Sequence, residues 1–224
     1  MTINNKIILI LAAHPDDEIL GCGGVIQKLV ADNNTVFVGI ITDGSSSQYP
    51  DDKVKSKKKI EECVKANMTL GVSRVEFLNL PDMKLDTIPH IELNKKIENL
   101  IEKIKPAVIY THSESDLNND HVAVAKSTYV ACRPGKPYLE KIFAYEVLSS
   151  SEWSRGKSFT PEVFINIEKY LKKKIKAFNM YKTEVRPYPH PRSAEGITIL
   201  AQYRGLQSGF KAAEAFKLII SYEK

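Results

Sequence analysis

A histidine and three consecutive carboxylic acids fall within five residues of this chain, His14-Pro15-Asp16-Asp17-Glu18. His14 offers a neutral imidazole and Asp17, three residues on, a carboxylate, so one tight turn aims both at a single cation. Asp16 between them is a carboxylate beside a metal but not bound to it, the position from which a base takes a proton from water in metal-assisted hydrolysis. Pro15 fixes one backbone angle and stiffens the turn. Capping offers a plainer account, because Asp is common at helix starts and Pro in the first turn. It accounts for one Asp or two. Three adjacent acids at a strand end, repelling one another, still ask for a cation.

A second cluster reads His112-Ser113-Glu114-Ser115-Asp116-Leu117-Asn118-Asn119-Asp120-His121. His121 completes a His-Asp-His set, and three protein ligands with a fourth position left for water mark catalytic rather than structural zinc. Asp120 is expected to orient one of the histidines from behind. Histidine and carboxylate ligands accept iron, cobalt or manganese as well as Zn2+. Two weaker candidates stay open. Asp43, before Gly44, either orients a ligand or closes a turn. Arg133 pairs with Asp16, with Asp120 or with substrate, or else makes a structural salt bridge.

These residues need strand ends to hold them. Short β-branched runs at 6–13, 36–42, 74–80, 107–112 and 141–147, with 163–167 as a sixth candidate, alternate with segments of helical period, which predicts an α/β fold on a mostly parallel sheet. The first cluster closes the first strand and the second follows the fourth, and ligands bind at strand ends in such sheets. Leu93, Ile97, Leu100, Ile101 and Ile104 line a helix stopped by Pro106; Ile60, Val64 and Met68 line another that ends at Gly71. From about residue 161 the chain is expected to be mostly helical, at 167–181, 193–205 and 211–222. The loops 45–52, 113–119 and 149–160 are expected to rim the pocket, and their polar character suits a hydroxyl-rich ligand.

The length of 224 residues suits one domain, and 43% hydrophobic with 26% charged residues excludes disordered and membrane classes. The net charge of +5 includes lysine clusters at 53–59 and 172–176, read as solvated helix faces, with an anionic substrate tail as the other reading. Aromatic residues do not interleave with these lysines, so nucleic-acid binding is not expected. Cys22, Cys63 and Cys132 contain no C-x-x-C pair and are expected to be small buried apolar groups. The apolar run 7–13 is too short for a membrane span or a signal sequence, so a cytoplasmic location is the expectation.

His14-Pro15-Asp16-Asp17-Glu18 with the later Asp120-His121 resembles the PIG-L/LmbE family of N-deacetylases. Similar words run along nearly the whole chain: Thr42-Asp43-Gly44, Leu80-Pro81-Asp82, Ala131-Cys132-Arg133-Pro134, Glu152-Trp153 and His190-Pro191-Arg192-Ser193. The resemblance implies a Rossmann-like single domain over 1–224 that removes an N-acetyl group from an amino-sugar substrate, free or linked to a nucleotide or lipid. It implies zinc ligands at His14, Asp17 and His121 and a general base at Asp16. Many members read His-Pro-Asp-His at the second cluster, where the extra His stabilises the oxyanion or handles the leaving group's proton; here that position is Asn118. His190, held between two prolines in an exposed loop, is expected to supply the missing group, with Arg192 beside the ligands or the substrate. Asn118 also motivates a rival, a metal- or sugar-binding relative without catalysis. A nucleotide-binding module is the other rival, because Gly21, Gly23 and Gly24 open a helix after a strand. Their spacing is wrong for G-x-G-x-x-G, and the acids before them would repel a pyrophosphate. Oligomeric state is open, with a homo-oligomer among the expectations.

Overall fold

Strand β1 (Ile7–Ala12) is apolar along its length, and a run of that kind is hidden when both faces of a strand are covered. Parallel to it, directly or in turn, lie β2 (Thr35–Thr42), β3 (Arg74–Leu80), β4 (Val108–His112) and β5 (Lys141–Tyr145). The sheet is completed by β6 (Val163–Asn166) and β7 (Ala213–Ser221), and β7 runs antiparallel to both β5 and β6. In this computed structural model, which describes residues 3–47, 52–156 and 158–223, the strand order is β3-β2-β1-β4-β5-β7-β6. The centre of the 45–52 rim loop, Lys157 in the 149–160 loop and the Lys53 side chain of the first lysine cluster lie outside the described residues.

Successive β1 side chains go to opposite faces, as the strand period demands. Ile8, Ile10 and Ala12 join the core beneath α1 (Asp17–Ala31), α2 (Lys53–Leu70), α5 (Leu171–Phe178) and α6 (Ala194–Ser208). Leu9, Leu11 and Ala13 join the core under α3 (His90–Ile104) and α4 (Asn119–Ala131). Burying each of the larger side chains contributes about 1.5–3 kcal/mol. The three cysteines are buried and free, as expected.

Strand order reverses between β1 and β4, and the crevice at their C-terminal ends is where open α/β sheets bind ligands. The turns after these two strands carry the two sequence clusters. The glycines of α1 have a packing role there: a Cβ on Gly21 would come within 2.2 Å of the Tyr145 ring, and one on Gly24 within 2.8 Å of Ile167. Close helix packing accounts for both without a nucleotide.

The structure corrects three expectations, the first being that the lysine clusters are solvated throughout: Lys59 and Lys174 are buried and paired with Glu184 and Glu214. Residues 211–222, expected as a helix, form β7. Ala213 and Ala215 favour a helix locally, but β5 and β6 both need a hydrogen-bonding neighbour, and tertiary pairing overrides so weak a preference. The C-terminal part is therefore strand β6, two helices and strand β7 rather than mostly helical. On α2, Gly71 forms the left-handed C-cap as expected, with φ 81°, but Met68 is 70% exposed. The helix buries Lys59, Glu62, Cys63, Ala66, Asn67 and Leu70 instead, a face whose polar members belong to the site or its surroundings.

Candidate metal centre

The chain leaves β1 at Ala12 and enters α1 at Asp17, so His14, Pro15 and Asp16 make the turn between them. Asp16 occupies the N-cap position with φ 121°, ψ −28° and no side-chain capping bond. A positive φ at a non-glycine residue costs on the order of 1–3 kcal/mol and persists only where its surroundings enforce it. Plain capping therefore does not describe Asp16: its carboxylate is turned elsewhere, 3.3 Å from an Arg192 Nη1.

Asp17 is the hub. Its Oδ2 accepts the His14 backbone N–H at 2.8 Å and lies 3.1 Å from His14 Nδ1 and 3.2 Å from His121 Nε2. His14 Nδ1 and His121 Nε2 are 3.3 Å apart, so the three atoms form a nearly equilateral triangle. Two ligands bound at about 2.0–2.1 Å around a tetrahedral ion lie about 3.3 Å from each other, and these edges match that spacing. Each histidine has a carboxylate behind its other nitrogen. Asp120 Oδ2 is 3.1 Å from His14 Nε2, and Asp116 Oδ1 is 3.1 Å from His121 Nδ1. Asp120 is held in turn by the Met83 and Leu85 backbone N–H groups, and Asp116 by the Ser150 and Ser151 hydroxyls. Such outer partners fix ring orientation and tautomer. A second donor group, His14, Asp82 and Asp120, shares the outer nitrogen of His14.

Charges in this buried space push the two neighbouring carboxyls apart. Burial alone would raise the Asp17 pKa, but His121 and His14 hold it well below the usual range. Asp16 is raised to about 7, chiefly by burial, with Arg192 pulling the other way. The two neighbouring carboxyls therefore differ in charge near neutrality, Asp17 an anion and Asp16 close to its titration point. Burial lowers both histidines of the triangle, yet Asp120 and Asp17 carry His14 up to about 10, and Asp17 and Asp116 carry His121 up to about 9.

Arg192 bridges Asp16 to Glu184, whose other oxygen binds Lys59 Nζ at 2.8 Å. His190 sits two residues before it: its Nδ1 accepts the Arg192 N–H at 3.1 Å and its ring meets Trp153 edge-on at 6.2 Å. Asn118 caps α4, its side chain accepting the Asp120 N–H at 2.9 Å. Asp43 takes the turn-closing role, its Oδ1 accepting the Ser45 and Ser46 N–H groups. Arg133 is not brought to the site. It follows the far end of α4, roughly 18 Å of helix from His121 at 1.5 Å per residue, and donates to the Val130 carbonyl.

Several site residues had no role assigned from sequence. His112 stacks on His121 with centroids 4.0 Å apart, and its Nε2 accepts the Ala13 N–H at 2.8 Å. Burial and the charge of His121 keep it neutral. Asp82, Asp116, Lys59 and Glu184 were equally silent. The available signal was position, since Asp82 and Asp116 follow β3 and β4 as His14 follows β1.

The sequence matches the family model described as "PIG-L: GlcNAc-PI de-N-acetylase" over residues 9–132, more than half of the chain. The chain belongs to the PIG-L family. Both clusters of the metal centre lie within that match. A relative in the curated proteins is the uncharacterized deacetylase YaiS of Escherichia coli K12, 32% identical over 187 residues that cover 80% of this PIG-L chain and 91% of YaiS. Among solved structures, N,N'-diacetylchitobiose deacetylase from Pyrococcus horikoshii aligns with a TM-score of 0.77 and 21% identity, covering 96% of this chain and 84% of that one. GalB of Pseudomonas putida, a 4-carboxy-2-hydroxymuconate hydratase, aligns equally well, at 0.77 with 19% identity over 98% of each chain. These structural likenesses establish the fold, which therefore carries more than one chemistry.

Proposed function

We propose that this PIG-L protein is a zinc-dependent N-deacetylase that hydrolyses the acetamide of an amino-sugar substrate. The observation that carries the proposal is the division of labour at the β1 turn: a donor triangle of zinc dimensions, His14, Asp17 and His121, with the buried carboxyl of Asp16 beside it and outside it. A bound zinc ion supplies Lewis acidity toward the amide carbonyl and water. Asp16 takes the proton of the attacking water and returns it to the departing amine nitrogen, so one group serves first as base and then as acid. Arg192 keeps Asp16 ionised often enough to act as base. His190 is proposed as a donor to the developing oxyanion. Its Nδ1 is occupied by the Arg192 N–H, which puts the ring proton on Nε2, and burial together with Arg192 lowers its pKa and keeps it neutral.

Acetate release from N-acetylglucosamine, N,N'-diacetylchitobiose and nucleotide- or lipid-linked N-acetyl amino sugars tests the proposal, on zinc-loaded and chelated protein. Metal-dependent release supports it and begins to name the carrier. A relative that binds without catalysis would hold zinc and release nothing. Because the same fold carries a hydratase, addition of water across a carbon–carbon double bond is the competing reaction, and it would yield no acetate.

A further inference from the structure

Glu18 has no part in the chemistry above, yet it is fully buried and its carboxylate is surrounded by donors. Oε2 accepts the backbone N–H of Asp16 at 3.0 Å. Oε1 accepts from Asn67 Nδ2 at 2.7 Å, on α2, and from the Tyr181 hydroxyl, in the segment after α5. At an ordinary helix start the N-cap side chain bonds the helix amides while an acid one turn on satisfies the N-cap amide. Here only the second half exists: Asp16 makes no capping bond, and Glu18 reaches back to its N–H. The N-cap carboxylate is thereby spared.

We infer that Glu18 is a positioning residue: clamped by Asn67 and Tyr181, it holds the Asp16 backbone at positive φ and so aims the Asp16 carboxyl at the reacting centre. The inference rests on Asp16 being the base of the proposed reaction. Burying a carboxylate is costly unless its oxygens are used, and here both oxygens are engaged by donors. All of the donors around Glu18 are fixed on separate elements. They locate its oxygens, and its oxygens locate one amide.

Two measurements test this. The first needs no substrate: in crystals of Glu18→Ala, Asp16 is expected to leave the positive-φ region while His14, Asp17 and His121 still bind zinc at full stoichiometry. Retention of φ near 121° would overturn the inference. The second is a double-mutant cycle on acetate release from N,N'-diacetylchitobiose or whichever N-acetyl sugar is turned over. Glu18→Ala is expected to lower kcat about a hundredfold with KM little changed, and to have no further effect in an Asp16→Ala background. An equal loss in both backgrounds would assign Glu18 to general stability instead. Glu18→Gln, which can still accept the Asp16 N–H, is expected to recover most of the rate, and it stands in if the alanine variant does not fold. If Asp16→Ala keeps full activity, the proposed mechanism fails; if Asp16→Ala is inactive and Glu18→Ala is not, the positioning role alone fails.

Discussion

In the proposed reaction Asp16 and Asp17, chemically identical neighbours, have opposite tasks, and substitution separates them. Asp16→Asn is expected to lower kcat at least a hundredfold while zinc content, read by atomic absorption, stays at one per chain. Asp17→Asn is expected to lose the metal itself, because it removes the hub charge from the donor triangle. His190→Ala is expected to cost about a hundredfold in kcat if it serves the oxyanion, and a change of only a few-fold would remove it from the mechanism. That His14, Asp16, Asp17 and His121 would come together was legible because His, Asp, Asp and His recur at two strand ends in a pattern that capping explains poorly. Asp82, Asp116 and Glu184 were not, since a single acid in a loop looks like any turn residue until its neighbours in space are known. Arg133 misled for the opposite reason: proximity in sequence to His121 became distance once a whole helix intervened.

Strands β1 to β5 were legible because β-branched runs between turn residues have few other ways to fold. A third of β7 is alanine and glutamate, and what fixes it as a strand is contact. Glu214 sends one oxygen to the Gly24 N–H and the other to the Val25 N–H, at 2.8 and 2.7 Å, inside α1. Lys174 of α5 binds the same carboxylate at 2.6 Å and the Leu20 carbonyl at 2.7 Å. An ion pair thus contacts backbone groups of α1 and ties three elements together. Both partners are almost wholly buried. Glu214→Ala strands a charge and two amides, and is expected to destabilise the protein by about 3–5 kcal/mol in urea unfolding. A loss under about 1 kcal/mol would mean that water replaces the carboxylate at no cost.

At the scale of the molecule, the site makes stability depend on pH, and the sign follows from its shifts. His14 and His121, raised from 6.5 to about 10 and about 9, stabilise the metal-free fold below pH 6.5, and that contribution is lost as pH rises through 9 and 10. Asp16 and Glu18, raised to about 7 chiefly by burial, become costly to keep buried as they ionise between about pH 4 and 7. Both effects run the same way, so metal-stripped protein is expected to melt at a higher temperature at pH 5 than at pH 9.5. Zinc needs the neutral imidazoles, so its stabilisation grows over the same interval. Calorimetry with and without chelator checks both slopes, and a metal-free Tm that rises with pH would contradict the charge assignments. Length suited a single domain; this coupling was not legible, because it depends on which acids surround each imidazole. The pairing of β1 with β4 has a further consequence, for biosynthesis. His14 and His121 are 107 positions apart and meet only across that pairing. Under the proposed ligand set, an emerging chain still short of α4 presents two of the three donors, and the triangle closes only once β4 and the start of α4 are in place.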